Sequence, residues 1–469
     1  MLNILGTGTR RSARVITLVL IAGSTVRAQQ AIPPGGLTLS QAVENALRNY
    51  PSVRVSQEQI NAAAAGIQLA RTAYLPRVDT LAQVNRATRN NLLGTLFPQG
   101  VIPNISGPPV GTNNFGTVWG SAVGVLASWE PFDFGLRDAN VAIANAARTQ
   151  SEATLRRTQF EVAVAAADAY LTVAAAQETV RAAQAGVDRA DVVLRSISAL
   201  VNAQLRPGAD ASRAEAELAA ARTQLIQAEQ AVEIARATVA QFVGIDPAQI
   251  TIAAPRLLQL PPDRSATPPD PALNPITAEQ DSVIARTQTE LRALERSYFP
   301  RFFTQAAAYA RGTGAGNDGS RFGGFNGLGP TFQNYAVGLT VTFPLFDLPA
   351  IRARQSAQSA TIRAETARYE QIAVDLRAQW NRAVASLQGG RRIAANTPVQ
   401  VAAARTATEQ ATARYESGLG TIDQVADAQR LFTQAEIDDA LARLSVWRGL
   451  LGVAAAAGDI QPFIAEARQ

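Results

Sequence analysis

The sequence predicts a mainly α-helical chain made of two similar halves, each with two β-strands and one long antiparallel helical hairpin. Three observations support this mixed fold class. Short motifs recur in the same order in both halves, and two segments of each half alternate large apolar residues with small or polar ones. Each half also contains an alanine-rich stretch far longer than an ordinary helix.

The chain divides into five predicted segments. Residues 1–28 are predicted to be a signal peptide, because arginines and a short apolar stretch precede a small-residue ending, and no acidic residue occurs there. The first repeat is predicted over residues 29–250, a Pro-rich linker over 251–272, the second repeat over 273–458 and a C-terminal tail over 459–469. We therefore expect export to a bacterial envelope.

The composition excludes most catalytic chemistry. The chain has no Cys and no His, and all 43 of its basic residues are Arg. Thiolate nucleophiles, imidazole bases and the Lys of phosphate-binding loops are therefore absent, and we expect no enzymatic activity, no cofactor and no metal site. Outside residues 1–28, 39 Arg stand against 38 Asp plus Glu, so the net charge falls from +5 to +1 and nucleic acid is not an expected partner.

Matched motifs define the internal repeat. Tyr-Leu-Pro-Arg at residues 74–77 recurs as Tyr-Phe-Pro-Arg at residues 298–301, and each precedes a predicted strand. Phe-Asp at residues 132–133 recurs at residues 346–347, after the second strand of each half. A helical segment precedes both first strands, and Pro51 is expected to interrupt it in the first half.

The second strand of each half has one face of large apolar side chains and one face of small or polar side chains. A membrane-spanning strand needs about ten residues with aromatic residues at both ends. A soluble sheet would place Leu or Ile on the second face as well, so we predict strands that cross a membrane. The residues predicted to face lipid are Trp119, Val123, Val125, Trp129, Tyr335, Val337, Leu339 and Phe343.

Long helices are predicted after each second strand, from about residue 138 to 205 and from about residue 352 to 416, each roughly 100 Å long. Each ends in a Gly-containing turn and is followed by a returning helix. Ser212 and Thr421 are expected to be the N-caps of the returning helices, because Glu or Gln follows three residues later. Gly-rich segments at residues 90–116, 312–316 and 323–329 are predicted to be extracellular loops.

Four strands cannot close into a barrel, and open sheet edges are not tolerated in hydrocarbon. Two chains would provide about eight strands with a filled interior, whereas three would provide about twelve strands and an open lumen. We therefore predict a trimer. The small and polar strand face would line its passage, and the helical hairpins would continue the wall.

Over essentially its whole mature length the chain resembles the TolC-like outer membrane efflux proteins. Besides the motifs above, Trp-Glu-Pro-Phe-Asp at residues 129–133, Phe-Pro-Leu-Phe-Asp at 343–347 and Ala-Arg-Tyr-Glu-Ser-Gly at 413–418 carry the resemblance. It implies a homotrimer with a twelve-stranded β-barrel in outer membrane lipid and a periplasmic α-helical barrel. It also implies a periplasmic adaptor protein and an inner membrane pump of the resistance-nodulation-division (RND) or ABC type as partners, in efflux or type I secretion.

The same resemblance implies that the helix tips close the periplasmic end. Tyr415 falls at the position of a latch tyrosine and Asp427 at that of a pore carboxylate, whereas Gly420 replaces a latch arginine and Gln424 a second carboxylate. Other acids near the tips are candidates to substitute, although a solvated helix face explains each acid equally well. The full set of gate candidates is Asp210, Glu215, Tyr415, Asp423 and Asp427.

Two alternative functions remain at this stage. One is an envelope hydrolase that uses paired carboxylates, although nothing in the sequence places two acids in a pocket. The other, a periplasmic or secreted coiled-coil scaffold or adaptor, would explain the signal peptide and the hairpins, but not the duplicated amphipathic strands. Within the channel interpretation, the sequence does not identify the transported substrate, the pump or the resting state of the gate.

Overall fold

The structure, a computed structural model, describes residues 36–88, 116–252, 255–263, 267–316 and 320–468. The predicted signal peptide lies outside these residues. Residues 90–115 of the Gly-rich segment predicted at residues 90–116 also lie outside the described residues.

Two helices precede the first strand. Helix α1 (Leu39–Asn49) begins with a capping box in which Thr38 and Gln41 exchange hydrogen bonds between side chain and backbone. Helix α2 (Pro51–Thr72) begins at Pro51, which tolerates the first helical position because it has no N–H to leave unpaired there. The interruption predicted at Pro51 is confirmed.

One antiparallel sheet joins the two halves of the chain. Helix α5 (Pro275–Arg296) precedes β3 (Arg301–Thr313), as α2 precedes β1 (Arg77–Thr88). With β2 (Thr117–Phe132) and β4 (Phe332–Thr342), these strands form a sheet in the order β1-β2-β3-β4. Strands β2 and β3 are neighbours although a helical hairpin separates them in sequence, and β1 and β4 are the edges.

One long helical hairpin follows the second strand of each half. The first consists of α3 (Leu136–Asn202) and α4 (Gly208–Val243), and the second of α6 (Leu348–Glu416) and α7 (Ile422–Ala457). Helices α3 and α6 have 67 and 69 residues, so each extends about 100 Å. We call the turns at the far ends of the hairpins, residues 203–207 and 417–421, the helix tips.

The predicted helix caps at the tips are wrong in one case and incomplete in the other. Helix α4 begins at Gly208, after Pro207, so Ser212 lies inside the helix rather than at its N-cap. Thr421 does occupy the N-cap position of α7, but its side chain makes no capping hydrogen bond. Proline is favoured near helix starts, which explains why the helix begins before the Ser-containing motif.

The Pro-rich segment after the first hairpin packs against the helices. The indole nitrogen of Trp447 donates a 2.9 Å hydrogen bond to the carbonyl of Gln259, and Leu257 is buried. Arg391 pairs with Asp263 and donates a 3.0 Å hydrogen bond to the carbonyl of Pro262. The segment thus forms a strap across α6 and α7.

The main hydrophobic core lies midway along α3, where α1, α4, α7 and the strap converge. Tyr170 of α3 is 1% exposed and donates a 2.9 Å hydrogen bond to the carbonyl of Leu37. Most of the predicted C-terminal tail forms α8 (Gln461–Arg468), whose Phe463 packs edge-on against Trp447 at 6.2 Å between ring centroids. The tail therefore contributes to the core.

Helix α7 is long and apolar enough to cross a membrane by length and composition, with a mean hydropathy of 1.3 over its most apolar window. However, 44% of that window is buried inside the fold, where α7 packs along α6 and α3. Helix α7 therefore packs as part of the helical bundle.

Candidate channel wall and helix-tip gate

The register of the sheet brings the predicted lipid-facing residues onto one face. Val125 of β2 lies opposite Thr80 of β1 and Ala308 of β3, and Ala308 lies opposite Tyr335 of β4. Directly opposed residues of antiparallel strands project from the same face. We call this face the apolar face. Between Trp119 at one end and Trp129 and Phe302 at the other, its apolar residues are Val78, Ala82, Val84, Val123, Val125, Ala127, Ala306, Ala308, Ala310, Tyr335, Val337, Leu339 and Val341.

The apolar face has aromatic residues at both ends. Trp119, near one end, lies under the guanidinium of Arg86, 5.3 Å from the ring centroid. At the other end the indole nitrogen of Trp129 donates a 3.1 Å hydrogen bond to the carbonyl of Tyr74, and Phe343 contacts the ring of Tyr298. Tyr335 is 87% exposed and Val337 is 77% exposed in the single chain. Such exposed apolar surface is typical of a lipid or subunit interface.

The opposite face of the sheet is mostly small or polar, and we call it the polar face. Its larger apolar or aromatic residues include Leu81, Val118, Leu126, Phe303 and Tyr309. Gly124 lies opposite Tyr309 there, and a Cβ at residue 124 would lie 2.4 Å from the Cβ of Tyr309 and 2.8 Å from its Cα, so the close approach of the two strands requires a glycine. The polar side chains of this face are Asp79, Gln83, Asn85, Gln305, Arg311, Asn334 and Thr340. A sheet with these two faces has the alternation of a membrane barrel strand.

Charged contacts hold the sheet to the helices. Asp133 accepts hydrogen bonds from the backbone nitrogen of Arg137 at 2.7 Å and from its guanidinium at 3.0 Å, and both side chains are buried. Arg301 of β3 donates two 2.8 Å hydrogen bonds to Glu130 of β2. The Asp133–Arg137 pair thus lies at the junction between β2 and α3, and the Arg301–Glu130 pair joins β2 to β3 beside it.

The two helix tips share a small apolar core. Ile197 of α3, Ala214 of α4 and Tyr415 of α6 are buried together with Ile422 and Val425 of α7. All four long helices therefore meet at their tips. This contact fixes the first hairpin against the second within one chain.

Tyr415 joins the tips through its ring, its hydroxyl and its carbonyl. The hydroxyl donates a 2.8 Å hydrogen bond to Oδ2 of Asp210 in the first turn of α4. The guanidinium of Arg206, from the turn before α4, lies 4.4 Å from the centroid of the Tyr415 ring and donates a hydrogen bond to the Tyr415 carbonyl. Three residues from the two hairpins thus form one cluster, which we call the tyrosine latch.

The environment of Tyr415 keeps its hydroxyl protonated. Burial, and then the hydrogen bond and negative charge of Asp210, raise the pKa of Tyr415 to about 12, while Arg206 opposes the shift. A neutral phenol donates to the carboxylate across the physiological pH range. The Tyr415 hydroxyl therefore does not titrate there.

A chain of ion pairs crosses the same tips. Asp423 pairs with Arg213 at 3.3 Å, and Arg213 pairs with Glu217 at 3.2 Å within α4. Glu217 lies 3.7 Å from Arg430, which also pairs with Asp427. Alternating charges from α4 and α7 thus connect the hairpins. The side chains of Asp423 and Asp427 are 65% and 71% exposed, so solvent weakens each outer pair.

The remaining sequence candidates are placed less centrally. Glu215 is exposed on α4, and no ion pair or hydrogen bond of its side chain occurs within the described ranges. At Gly420 a Cβ would lie 3.1 Å from Oε1 of Gln424 and 3.2 Å from the backbone nitrogen of Tyr415, so the site is crowded. Arg206 of the other tip provides the guanidinium that residue 420 lacks.

Several tip residues were not singled out by the sequence. Arg206, Arg213, Glu217 and Arg430 each contact the other hairpin or a residue that does. The local signals were the spacing of four between Arg213 and Glu217 and the spacing of three between Asp427 and Arg430, because residues three or four apart lie side by side on a helix. Contacts between α4 and α7 join residues about two hundred positions apart and leave no local pattern.

These features match a family of known proteins. Residues 42–245 and 278–459 match the family described as outer membrane efflux protein. The chain belongs to the outer membrane efflux protein family. It is therefore an outer membrane efflux channel that extends into the periplasm, and the scaffold alternative is excluded.

Individual relatives of this efflux protein are distant but span most of its length. The pyoverdine export outer membrane protein OpmQ of Pseudomonas aeruginosa is 24% identical over 425 residues, covering 89% of this chain and 84% of OpmQ. Protein CyaE of Bordetella pertussis is 27% identical over 436 residues, covering 90% of this chain and 84% of CyaE.

Solved structures show the same fold. The outer membrane channel OprN superposes with a TM-score of 0.71 at 23% identity, covering 90% of the efflux protein and 89% of OprN. The open state of the Neisseria gonorrhoeae MtrE channel superposes with a TM-score of 0.68 at 19% identity, with coverages of 90% and 89%.

Proposed function

We propose that three copies of the efflux protein assemble into one exit duct, with a closed twelve-stranded barrel in the outer membrane. The observation that carries this proposal is the four-stranded sheet, which has one apolar face, one polar face and two unpaired edges, β1 and β4. In hydrocarbon the edge N–H and C=O groups need partners, and pairing of β1 with β4 of the next copy supplies them. The polar face then lines the lumen.

The proposed duct continues through the helices. Four long helices from each of three copies give a cylinder whose wall extends about 100 Å from the barrel. In this duct each copy contributes two structural repeats, residues 29–250 and 273–458. The strap, residues 251–272, connects them. Small alanine side chains permit the close helix contacts that such a wall needs.

The proposed assembly needs partners that provide energy. The chain has no Lys, so it contains no phosphate-binding loop of the usual type. We infer a passive conduit that receives substrate from an inner membrane transporter of the RND or ABC type through a periplasmic adaptor protein. Outer membrane lipid surrounds the barrel. The substrate depends on the transporter.

The tyrosine latch and the ion-pair chain are the proposed gate. Both connect the second hairpin to the first, so opening requires the α6–α7 tip to move away from the α3–α4 tip and break these contacts. Within the latch, the ion-pair chain and Glu215, five carboxylates outnumber three guanidinium groups; the carboxylates are Asp210, Glu215, Glu217, Asp423 and Asp427, and the guanidinium groups are those of Arg206, Arg213 and Arg430. Glu416 and Arg414, at the end of α6, add one charge of each sign. A symmetric ring of excess negative charge favours cations at a constriction.

Mass and conductance test the proposed duct. The mature protein, purified in detergent, is expected to give a trimer by native mass spectrometry and discrete ion conductance in planar bilayers. A monomer or dimer without conductance would refute the proposal. The cysteine variant Val337→Cys, at the middle of the apolar face, should react with a membrane-soluble maleimide but not with a charged one.

Crosslinking tests the gate. The chain has no native Cys, so Arg213→Cys with Asp423→Cys gives a clean pair across the two tips. A short bismaleimide joining them is expected to lock the channel closed. The same reagent on Arg213→Cys alone is the control. Undiminished opening despite confirmed crosslinks would show that the tips do not gate the channel.

A further inference from the structure

The segment between β3 and β4 turns back over the apolar face. Gly312 of β3 lies opposite Ser121 of β2, and Ser121 has the same orientation as Val123 and Trp119. The carbonyl oxygens of Gly329 and Gly327 lie 2.1 and 2.7 Å from the position that a Cβ at residue 312 would occupy. The backbone of residues 327–329 therefore covers the apolar face at its outer end.

Glycines make this close approach possible. A Cβ at residue 327 would lie 2.2 Å from the carbonyl oxygen of Trp119, and Gly327 has a φ of +97°. A Cβ at residue 314 would lie 2.7 Å from the carbonyl oxygen of Asn326. Backbone atoms cannot move aside as side chains do, so the fold of the segment depends on these glycines.

Hydrogen bonds hold the same segment in place. The backbone nitrogen of Gly314 donates to the carbonyl of Trp119 at 2.8 Å, and that of Phe322 donates to the carbonyl of Gly314 at 2.9 Å. The side-chain amide of Asn326 donates to the carbonyl of Gly323 at 2.7 Å. The segment is thus a defined loop, which we call the phenylalanine loop, residues 320–331.

The phenylalanine loop exposes two aromatic rings. Phe325 is 78% exposed and Phe322 is 51% exposed. Exposure of a Phe ring to water is unfavourable, and its transfer from water into an apolar phase lowers the free energy. Arg321, adjacent to Phe322, is also exposed. Aromatic rings beside an arginine are typical of the boundary between lipid chains and headgroups.

We propose that the phenylalanine loop is a membrane anchor, with Phe322 and Phe325 inserted into the interfacial region of the outer leaflet. The partner is a lipid surface, because the loop continues the apolar face at the level of Trp119, where the aromatic end of that face lies. This inference rests on the proposed barrel. It adds that the loop packs outward, onto lipid, and does not cover the mouth of the lumen.

Spin labelling tests the anchor in the assembled protein. Phe325→Cys, labelled with a nitroxide, is reconstituted into phosphatidylcholine vesicles, and its collision rates with oxygen and with a water-soluble nickel chelate are measured. Val337→Cys on the apolar face and Asn334→Cys on the polar face are the references. The ratio of oxygen to nickel collisions at residue 325 is expected to approach that at residue 337 and to exceed that at residue 334 several-fold.

A ratio at residue 325 equal to that at residue 334, with residue 337 in lipid, would overturn the anchor and leave the proposed barrel intact. High nickel accessibility at residue 337 would overturn both. A second variant tests the packing itself. Gly312→Val is expected to displace the loop and lower the ratio at residue 325, whereas Gly338→Val, a position with open space around it, should leave it unchanged. An unchanged ratio in Gly312→Val would contradict the proposed packing.

Discussion

The hydroxyl of Tyr415, at the end of α6, donates a 2.8 Å hydrogen bond to Oδ2 of Asp210, in the first turn of α4. The two residues belong to different hairpins and lie at opposite sides of the contact between the tips. Because the acceptor is a carboxylate, the bond is stronger than one between neutral groups. It joins the second hairpin directly to the first.

Removing the Tyr415 hydroxyl is expected to weaken the closed state. Tyr415→Phe keeps the ring in the tip core and its contact with Arg206 but deletes the bond to Asp210. A hydrogen bond to a charged group contributes about 1.5 kcal/mol or more, so the open probability should rise about tenfold. Single-channel recording measures it. Tyr369→Phe, elsewhere on α6, is the control, and an equal rise in both variants would contradict a specific latch.

The latch is expected to persist to high pH. Because the folded-state pKa of Tyr415 is raised to about 12 from a usual value near 10, folding favours the protonated phenol. The stabilisation is complete below pH 10 and is lost between about pH 10 and pH 12. The tips should therefore stay closed from pH 7 to 9 and begin to open above pH 10. Tyr415→Phe should lack this alkaline step, and its presence in that variant would assign the step to another group.

The exposed acids at the tips are expected to set ion preference. Asp423→Ala combined with Asp427→Ala removes the two carboxylates of α7 from the ion-pair chain and leaves Arg213 and Arg430 with fewer partners. The reversal potential in a salt gradient should shift toward lower cation selectivity. Glu58→Ala, on α2 and far from the tips, should not change it. An unchanged reversal potential in the double variant would remove this role for the two acids.

Close packing of α6 against α7 is expected to depend on Gly449. A Cβ at residue 449 would lie 2.8 Å from the Cα of Leu387, so Gly449→Ala forces the two helices apart. Overpacking of this kind costs about 1–3 kcal/mol. Gly66→Ala in α2 adds a methyl group with nothing within 4 Å and should gain up to about 1 kcal/mol of helix stability. Thermal unfolding should show a lower midpoint for Gly449→Ala and an equal or higher one for Gly66→Ala.

Much of the fold was predictable because it is repeated along the chain. Helix α6 was expected from about residue 352 to 416 and extends over Leu348–Glu416, and the break at Pro51 separates α1 from α2. Apolar residues that recur every two residues in a strand, or every three to four residues in a helix, indicate which face is buried. Those signals are local, and they fail at helix starts, as with Ser212, where backbone geometry at Pro207 decides the boundary.

The candidate site was predictable only in part. Tyr415, Asp423, Asp427 and Asp210 do lie at the tips and make contacts there, whereas Glu215 makes none with the residues described. The arginines that connect these acids were not assigned. Arg206 reaches Tyr415 from the other tip, and Arg430 reaches Glu217 across the helix interface. Side-chain reach between distant segments leaves no trace in either segment alone.

The sequence by itself determined the periodicity of the strands, the length of the helices, the duplication and the absence of Cys, His and Lys. These properties depend on residues close together in the chain, where backbone geometry sets which side chains share a face. The tertiary structure decided the strand order, the packing of the Pro-rich strap, the partners of each tip charge and the packing of the phenylalanine loop over the apolar face. These depend on distances between residues far apart in sequence, which only the packing of complete elements fixes.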